Sequence, residues 1–269
     1  SVARVFPSSG LISRAFRMGF DPVQDLSALK AIHHLVKARE INPDDGNTLA
    51  TLIGLQQGRG LTEAALTTAD AFIARPADTP EQRQVRDQVI AQRPRLVATL
   101  GTAPSTSWRN LDELSRILTT LLTQGRAETA ADLLEKAYPA EARPWEIIDR
   151  IATYRLNLGR AEEARRLWMS AKQPPSPGLP SARAAAASYA MGNWDEARAD
   201  YRAAIAADPK LFEAHYGLAM TEYDSGDAAA ALKAANEAAA VAPDDSTKSA
   251  ANGIADSIRA YSARAGSAK

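Results

Sequence analysis

Apolar and small residues recur along this chain with a period longer than a single helix. In "FEAHYGLAMTEYDSGDAAAALKAANEAAAVAPDD" (Phe212–Asp245) the spacing predicts two helices. The first runs to about Asp224. "SGD" breaks it, with Gly226 supplying the left-handed residue that ends many helices. The second starts near Asp227 and stops before Pro243, which cannot continue it. Upstream, Ile147, Ile148, Ile151 and Ala152 form a 3–4 spaced stripe on one helix face. At the far end, Ile254 and Ile258, with Tyr261 one turn further, predict a last amphipathic helix over 246–265.

The helix pair repeats. Gly125, Gly159, Gly192 and Gly226 are spaced by 34, 33 and 34 residues. Five residues after each stands an alanine: Ala130, Ala164, Ala197 and Ala231. Seven further on stands another: Ala137, Ala171, Ala204 and Ala238. Pro209 and Pro243 close two of the copies. Self-similarity at this period is the mark of a repeat architecture. The N-terminal half carries the frame more faintly. Ala31, Ala38 and Pro43 return as Ala64, Ala71 and Pro76, and Gly58 stands one residue early, so "GRGL" reads as a one-residue insertion. Residues 77–110 keep the length of a unit and lose its signature. Pro94 and Pro104 are expected to interrupt or shorten the helices there.

Three segments follow. Residues 1–24 form an extension or shortened helix, cut off by Gly19 and Pro22. Residues 25–245 hold about seven units, with 77–110 degenerate. Residues 246–269 supply a capping helix and tail, which a stack of repeats needs to cover its last apolar face.

Composition narrows the function. Of 269 residues 45% are hydrophobic and 24% charged, a globular balance. Lys+Arg and Asp+Glu both total 32, so no net charge draws the chain to nucleic acid or an anionic membrane. No stretch approaches the roughly 20 apolar residues of a membrane span. Cysteine is absent, which removes disulfides and thiol chemistry. That fits the bacterial cytoplasm or periplasm, with a lean to the periplasm; the alanine- and arginine-rich style suits a GC-rich bacterium. The start at Ser1 reads as a processed product or a piece of a longer chain.

Candidate chemistry is sparse. His33 and His34 point about 100° apart on a helix and cannot share one ion. His215 sits at a packing position. The carboxylates Asp195, Glu196, Asp200, Glu162 and Glu163 include pairs with Arg three or four residues on, Asp195–Arg198 and Glu162–Arg165/Arg166, which reads as solvated helix-face pairing. "GRGLTE" is no phosphate loop and no G-x-S-x-G elbow occurs. No catalytic, metal-binding or cofactor-binding residue is read from the chain, and no enzyme activity. "QPPSPGLP" (Gln173–Pro180) has PxxP spacing and reads as a helix terminator that lengthens a loop.

"GNWDEARADYRAAIAADP" (Gly192–Pro209) resembles the turn and second helix of the tetratricopeptide repeat (TPR) family: Gly192 at the turn, Ala197 and Ala204 at the packing positions, Tyr201 at the aromatic position, Pro209 at the terminator. "GRAEEARRLWMSA" and "GRAETAADLLEKA" repeat it, with Trp168 and Leu134 or Leu133 in the aromatic place. The resemblance spans roughly 25–245. Leu114, Ile148, Ser181 and His215 stand where the family often has tryptophan. It implies an all-α fold, a right-handed α-solenoid (superhelix) of stacked helix–turn–helix pairs, whose first helices line a peptide-binding groove. The positions carried over include Asp149, Thr153, Asn157, Tyr189, Tyr216, Met220 and Tyr223. The family's basic clamp for C-terminal carboxylates is missing, since Asp149, Thr153, Ala182, Ala186, Tyr216 and Met220 fill its slots. The resemblance thus implies a non-enzymatic scaffold for a protein or peptide partner, with no cofactor; the alanine- and arginine-rich style suggests that it works in a bacterial envelope or secretion assembly. The alternative is a regulatory or substrate-docking module of a larger enzyme or polysaccharide-export machine. The oligomeric state is not legible.

Overall fold

The computed structural model describes residues 22–267, with side-chain environments over 26–260 apart from residue 142. The predicted extension 1–24 lies almost entirely outside the described residues, as do the side chain of Tyr261 and the last two residues. Among the described residues there are thirteen α-helices, a short 3-10 turn at Ala140–Ala142, and no strand. The helices are α1 (Pro22–Ile41), α2 (Gly46–Gly58), α3 (Thr62–Ile73), α4 (Pro80–Leu100), α5 (Leu111–Thr123), α6 (Ala127–Ala137) and α7 (Trp145–Asn157). They continue with α8 (Ala161–Met169), α9 (Leu179–Ala190), α10 (Trp194–Ala207), α11 (Phe212–Asp224), α12 (Ala228–Val241) and α13 (Asp245–Ser267).

Five pairs share one turn: α2–α3, α5–α6, α7–α8, α9–α10 and α11–α12. The glycines between them, Gly60, Gly125, Gly159, Gly192 and Gly226, all have φ between 68° and 94°. Each glycine N–H donates to the carbonyl three residues back, as in Gly192 to Tyr189 at 3.0 Å. After Gly60, Gly125, Gly192 and Gly226 the next N–H reaches back five residues, as in Asn193 to Ser188 at 2.9 Å and Asp227 to Glu222 at 2.9 Å. This is the Schellman arrangement, which ends a helix on a left-handed residue and satisfies its last carbonyls.

Second helices pack through the predicted small positions. Ala65, Ala130, Ala164, Ala197 and Ala231, five residues after each turn glycine, are all fully buried. So are the residues four further on: Ala69, Leu134, Trp168, Tyr201 and Ala235. A methyl at the first position lets helix axes approach, and a ring or branched chain at the second fills the remaining gap.

Several expectations are corrected. The turn glycine of the first pair is Gly60, not Gly58, which closes α2. No insertion is needed: Ala65, Ala69 and Phe72 take the core positions, Ala64 is half-buried and Ala71 is exposed. Ala31 and Ala38 lie in the single long helix α1, whose buried residues are Leu26, Leu29, Ile32 and His33. Ala171 lies beyond the nine-residue α8, and Ala137 is only half-buried at the end of α6. Pro22 opens α1, a position where its missing N–H leaves no bond unmade, and the shortened helix expected before it lies outside the described residues.

Residues 80–100 form one uninterrupted helix, not a degenerate pair. Pro94 sits inside it on an exposed stretch, and the carbonyl its ring leaves unbonded belongs to half-exposed Ile90. The lost bond thus falls at a solvent-facing carbonyl instead of a buried one. Thr79 and Gln82 start this helix with a reciprocal capping box, at 3.1 Å each way. The count is therefore five pairs among the described residues, against about seven predicted units.

The described residues divide into two compact units. One comprises 31–143 and 153–159. Leu49, Ile53, Ala65, Ala69, Phe72, Val89 and Leu96 form a core in which α4 lies on α2 and α3. The Gly125 turn sits on the Gly60 turn so closely that a β-carbon on Gly125 would lie 2.5 Å from the Gly60 carbonyl. The other unit comprises 22–30, 144–152 and 160–267. Its core draws on Leu26, Ala182, Ala186, Tyr189, Ala197, Tyr201, Ala204, Phe212, Tyr216, Ala235, Ala238, Ala251 and Ala255. Helix α13 packs on α12 with Ala251, Ala255 and Ile258 buried and Ile254 half-buried, while Asp244 caps it by accepting from the Thr247 N–H at 2.8 Å.

Candidate helix-binding face

Inter-helix polar rungs set the register of the pairs. The residue four before each turn glycine is buried: Gln56, Leu121, Arg155, Ser188 and Glu222. Three of them bond to the second helix of the preceding pair. Arg155 donates to Asp132 at 2.7 Å and Glu135 at 3.4 Å. Ser188 accepts from Arg165 at 2.9 Å. Glu222 accepts from Arg198 at 2.9 Å and Arg202 at 3.1 Å. Burying a carboxylate demands such partners, and two guanidiniums supply them.

These rungs correct the reading of solvated helix-face pairs. Arg198 does hold the fully exposed Asp195 at 2.7 Å, but its other nitrogens reach Glu222 and Ser225 on the next pair. Arg165 likewise turns to Asp200 at 2.7 Å and Glu196 at 3.0 Å. Burial raises the Asp200 carboxyl above its ordinary value, with Arg165 pulling the other way.

The predicted groove residues separate into three groups. Asp149 and Asn157 serve internal bonds. Asp149 accepts from the buried Trp168 indole at 2.7 Å, with Arg183 3.4 Å away. Asn157 accepts from the Arg59 guanidinium and donates to the Thr153 carbonyl at 2.8 Å. Thr153, Tyr189 and Tyr216 are buried. Met220 is half-buried and Tyr223 is the exposed member.

What covers part of this face is the beginning of α1. Leu26 is 2% exposed and joins the core that includes Ala182, Ala186, Tyr189 and Tyr216. One turn on, the Lys30 ammonium meets the Asp224 carboxylate at 2.5 Å. The Tyr189 hydroxyl donates to the same oxygen at 2.7 Å and accepts a bond from the Ser27 hydroxyl. Lys30 Nζ lies 5.0 Å from the centroid of Trp194 and 5.6 Å from that of Tyr189. The two rings meet edge to face at 5.4 Å. Burial, then the hydrogen bond to Asp224 and its charge, drive the Tyr189 phenol far above its ordinary range. The phenol therefore stays a donor. Two aromatic rings and one carboxylate converge on one ammonium, an arrangement that attracts a cation through both ring quadrupoles and charge.

Residues 186–226, which hold Tyr189, Trp194, Tyr201, Tyr216, Glu222 and Asp224, match the profile of the TPR repeat family. This segment is similar to a tetratricopeptide repeat. The TPR match spans the end of α9, all of α10 and α11, and the turn glycines Gly192 and Gly226. Among solved structures, the chain is similar to YrrB, a TPR protein with an unusual peptide-binding site (16% identity, TM-score 0.42, 81% of this chain and 97% of that one). It is similar to yeast Tom70 (15%, 0.43), covering 88% of this chain and 59% of the Tom70 chain. It is also similar to the TPR2AB domain of yeast Sti1, solved in complex with pHSP90 (21%, 0.39, 91% and 97%). No curated protein matches the sequence.

Reading the sequence alone misses Leu26, Ser27 and Lys30 as neighbours of the α9–α11 face. A signal exists: Leu26, Leu29 and Ile32 recur every three residues, and Val36 follows one turn later. That stripe marks α1 as a helix with an apolar side to bury.

His33 and His34 diverge as their spacing requires. His33 is buried with Nδ1 3.0 Å from the Gly159 carbonyl, and His34 is exposed. His215 Nε2 lies 3.0 Å from the Pro209 carbonyl, at a packing position. "QPPSPGLP" is pinned to α10: Ser176 donates to Asp208 at 2.5 Å, and a β-carbon on Gly178 would lie 2.5 Å from the Ala204 carbonyl.

Proposed function

We propose that this chain is a non-enzymatic interaction scaffold that binds a helical segment of a protein partner on the α9–α11 face. The observation that carries this reading is the seat of Leu26, Ser27 and Lys30 among Ala182, Ala186, Tyr189, Trp194, Tyr216 and Asp224. That face already accommodates an amphipathic helix, with apolar contact below and one ion pair at its edge. Met220 and Tyr223 extend the same surface toward solvent. Methionine and tyrosine are residue types suited to protein contact, the first for its adaptable shape and the second for its rigid amphipathic ring.

The cysteine-free, alanine- and arginine-rich composition supports placing this scaffold in a bacterial envelope or secretion assembly, in cytoplasm or periplasm. No helix among the described residues is long and apolar enough to cross a membrane.

The test is capture of the native partner by the chain and by a Met220→Lys, Tyr223→Ala variant. Tyr223 is exposed and Met220 half-buried at the edge of the core, so capture is expected to fall in a variant whose helicity and melting are checked alongside. Undiminished capture by a variant of unchanged helicity would refute the assignment of the face. Tyr216→Ala is a poor test, because removing a buried ring is expected to cost about 3–5 kcal/mol in stability.

A further inference from the structure

We infer that residues 22–30 are an exchangeable occupant of this face, and that the partner helix must bring the same chemistry: a leucine followed four residues later by a lysine. The inference rests on the scaffold reading above and names its ligand.

The seat selects a primary ammonium. Asp224 supplies the charge, the Tyr189 hydroxyl fixes the carboxylate by donating to the oxygen that Lys30 uses, and Trp194 and Tyr189 present their rings within 6 Å. A lysine ammonium is a compact point charge that fits such a corner. Below it, Leu26 fills the apolar floor one helical turn away. Leu at i and Lys at i+4 lie on one face of a helix, so a single partner helix can satisfy both at once.

The present occupant is lightly held where it meets solvent. The Lys30 side chain is 30% exposed and that of Asp224 20%, so water already reaches the ion pair. Such pairs contribute little net stability, and replacing one lysine by another is close to neutral. The seat is of a different kind. Tyr189 and Tyr216 are buried on α9 and α11, and Tyr189 is also held by Asp224 and the edge of Trp194, both outside residues 22–30. An internal helix that leaves only part of the time lowers the apparent affinity for a competitor by the fraction of open seats.

The experiment uses the full chain and a fluorescent peptide with the sequence of residues 20–34. Lys30→Glu sets two carboxylates together at Asp224 and should expel the internal helix. The peptide is expected to bind that variant about tenfold more tightly than it binds the unaltered chain. A peptide with glutamine in place of the lysine should lose about tenfold in affinity.

No binding of the peptide to a Lys30→Glu chain of unchanged helicity and melting would overturn the inference. So would failure of that variant to fold, since a helix needed for folding is not exchangeable. Hydrogen exchange on the unaltered chain decides independently. Amides 23–30 should exchange well ahead of those in α9 and α11, and equal protection contradicts exchange. If the partner is captured through Met220 and Tyr223 while 22–30 stays fully protected and the peptide does not bind, this inference alone fails. If no partner is captured at all, the scaffold reading fails with it.

Discussion

The ring of Tyr201 on α10 occupies the space that a side chain on Gly217 of α11 would need. A β-carbon there would overlap the ring and its hydroxyl. Glycine inside a helix is unfavourable by roughly 1 kcal/mol relative to alanine. Here it is retained because a buried ring from the preceding pair lies directly against the helix backbone.

Gly217→Ala should therefore destabilise the chain by about 1–3 kcal/mol despite alanine's better helix propensity. Thermal unfolding followed by circular dichroism measures it. A higher melting temperature would mean that Tyr201 does not lie on Gly217.

Ala204→Leu tests the same junction from another side. Ala204 is fully buried, and its carbonyl faces Gly178. Three extra carbons have nowhere to go, so a loss of about 1–3 kcal/mol in denaturant unfolding is expected. A neutral result would contradict the packing register.

Arg198 and its two carboxylates should respond unequally. Arg198→Ala removes a charged hydrogen-bond donor from the buried Glu222, with an expected loss of about 1.5–3 kcal/mol. Asp195→Ala touches only a side chain in full solvent and should leave the melting temperature unchanged. Equal effects would restore the reading of a solvated pair.

Alkaline titration probes the buried phenols. Burial raises the ionisation of Tyr201, and burial together with Asp224 raises that of Tyr189, both above the ordinary value near 10. A raised native value stabilises the fold fully below that ordinary value and loses the contribution as pH climbs past it. Tyrosinate absorbance from Tyr189 and Tyr201 should thus appear only above that ordinary value, as helicity collapses. A Tyr189→Phe, Tyr201→Phe variant that loses tyrosinate absorbance near pH 10, with helicity intact, would contradict both placements.

Much of the architecture is legible in the sequence. The predicted limits Asp224, Asp227 and Pro243 match the observed α11 and α12, and Gly125, Gly159, Gly192 and Gly226 all take the left-handed turn. These features depend on local physics, namely backbone conformation at glycine and proline and the need for small side chains where helices touch. The N-terminal half was less legible because alanine spacing there was not set by packing: Ala71 faces solvent while Phe72 fills the core. Pro94 was misleading, since a proline on an exposed helix face leaves its orphaned carbonyl to water. The site was least legible. Groove positions carried over from the family cannot reveal that Lys30, 194 residues before Asp224, lies upon them. A lysine's partner over that distance is fixed by tertiary packing alone.

The central claim is that the α9–α11 face receives a helical partner. A photo-crosslinking amino acid placed at Met220 or Tyr223, and at Asp195 as a solvent-facing control, tests it most directly in the native cell. The account predicts crosslinks to a partner protein from Met220 and Tyr223 and none from Asp195. Crosslinks from Asp195 alone, or none from Met220 and Tyr223, would contradict it.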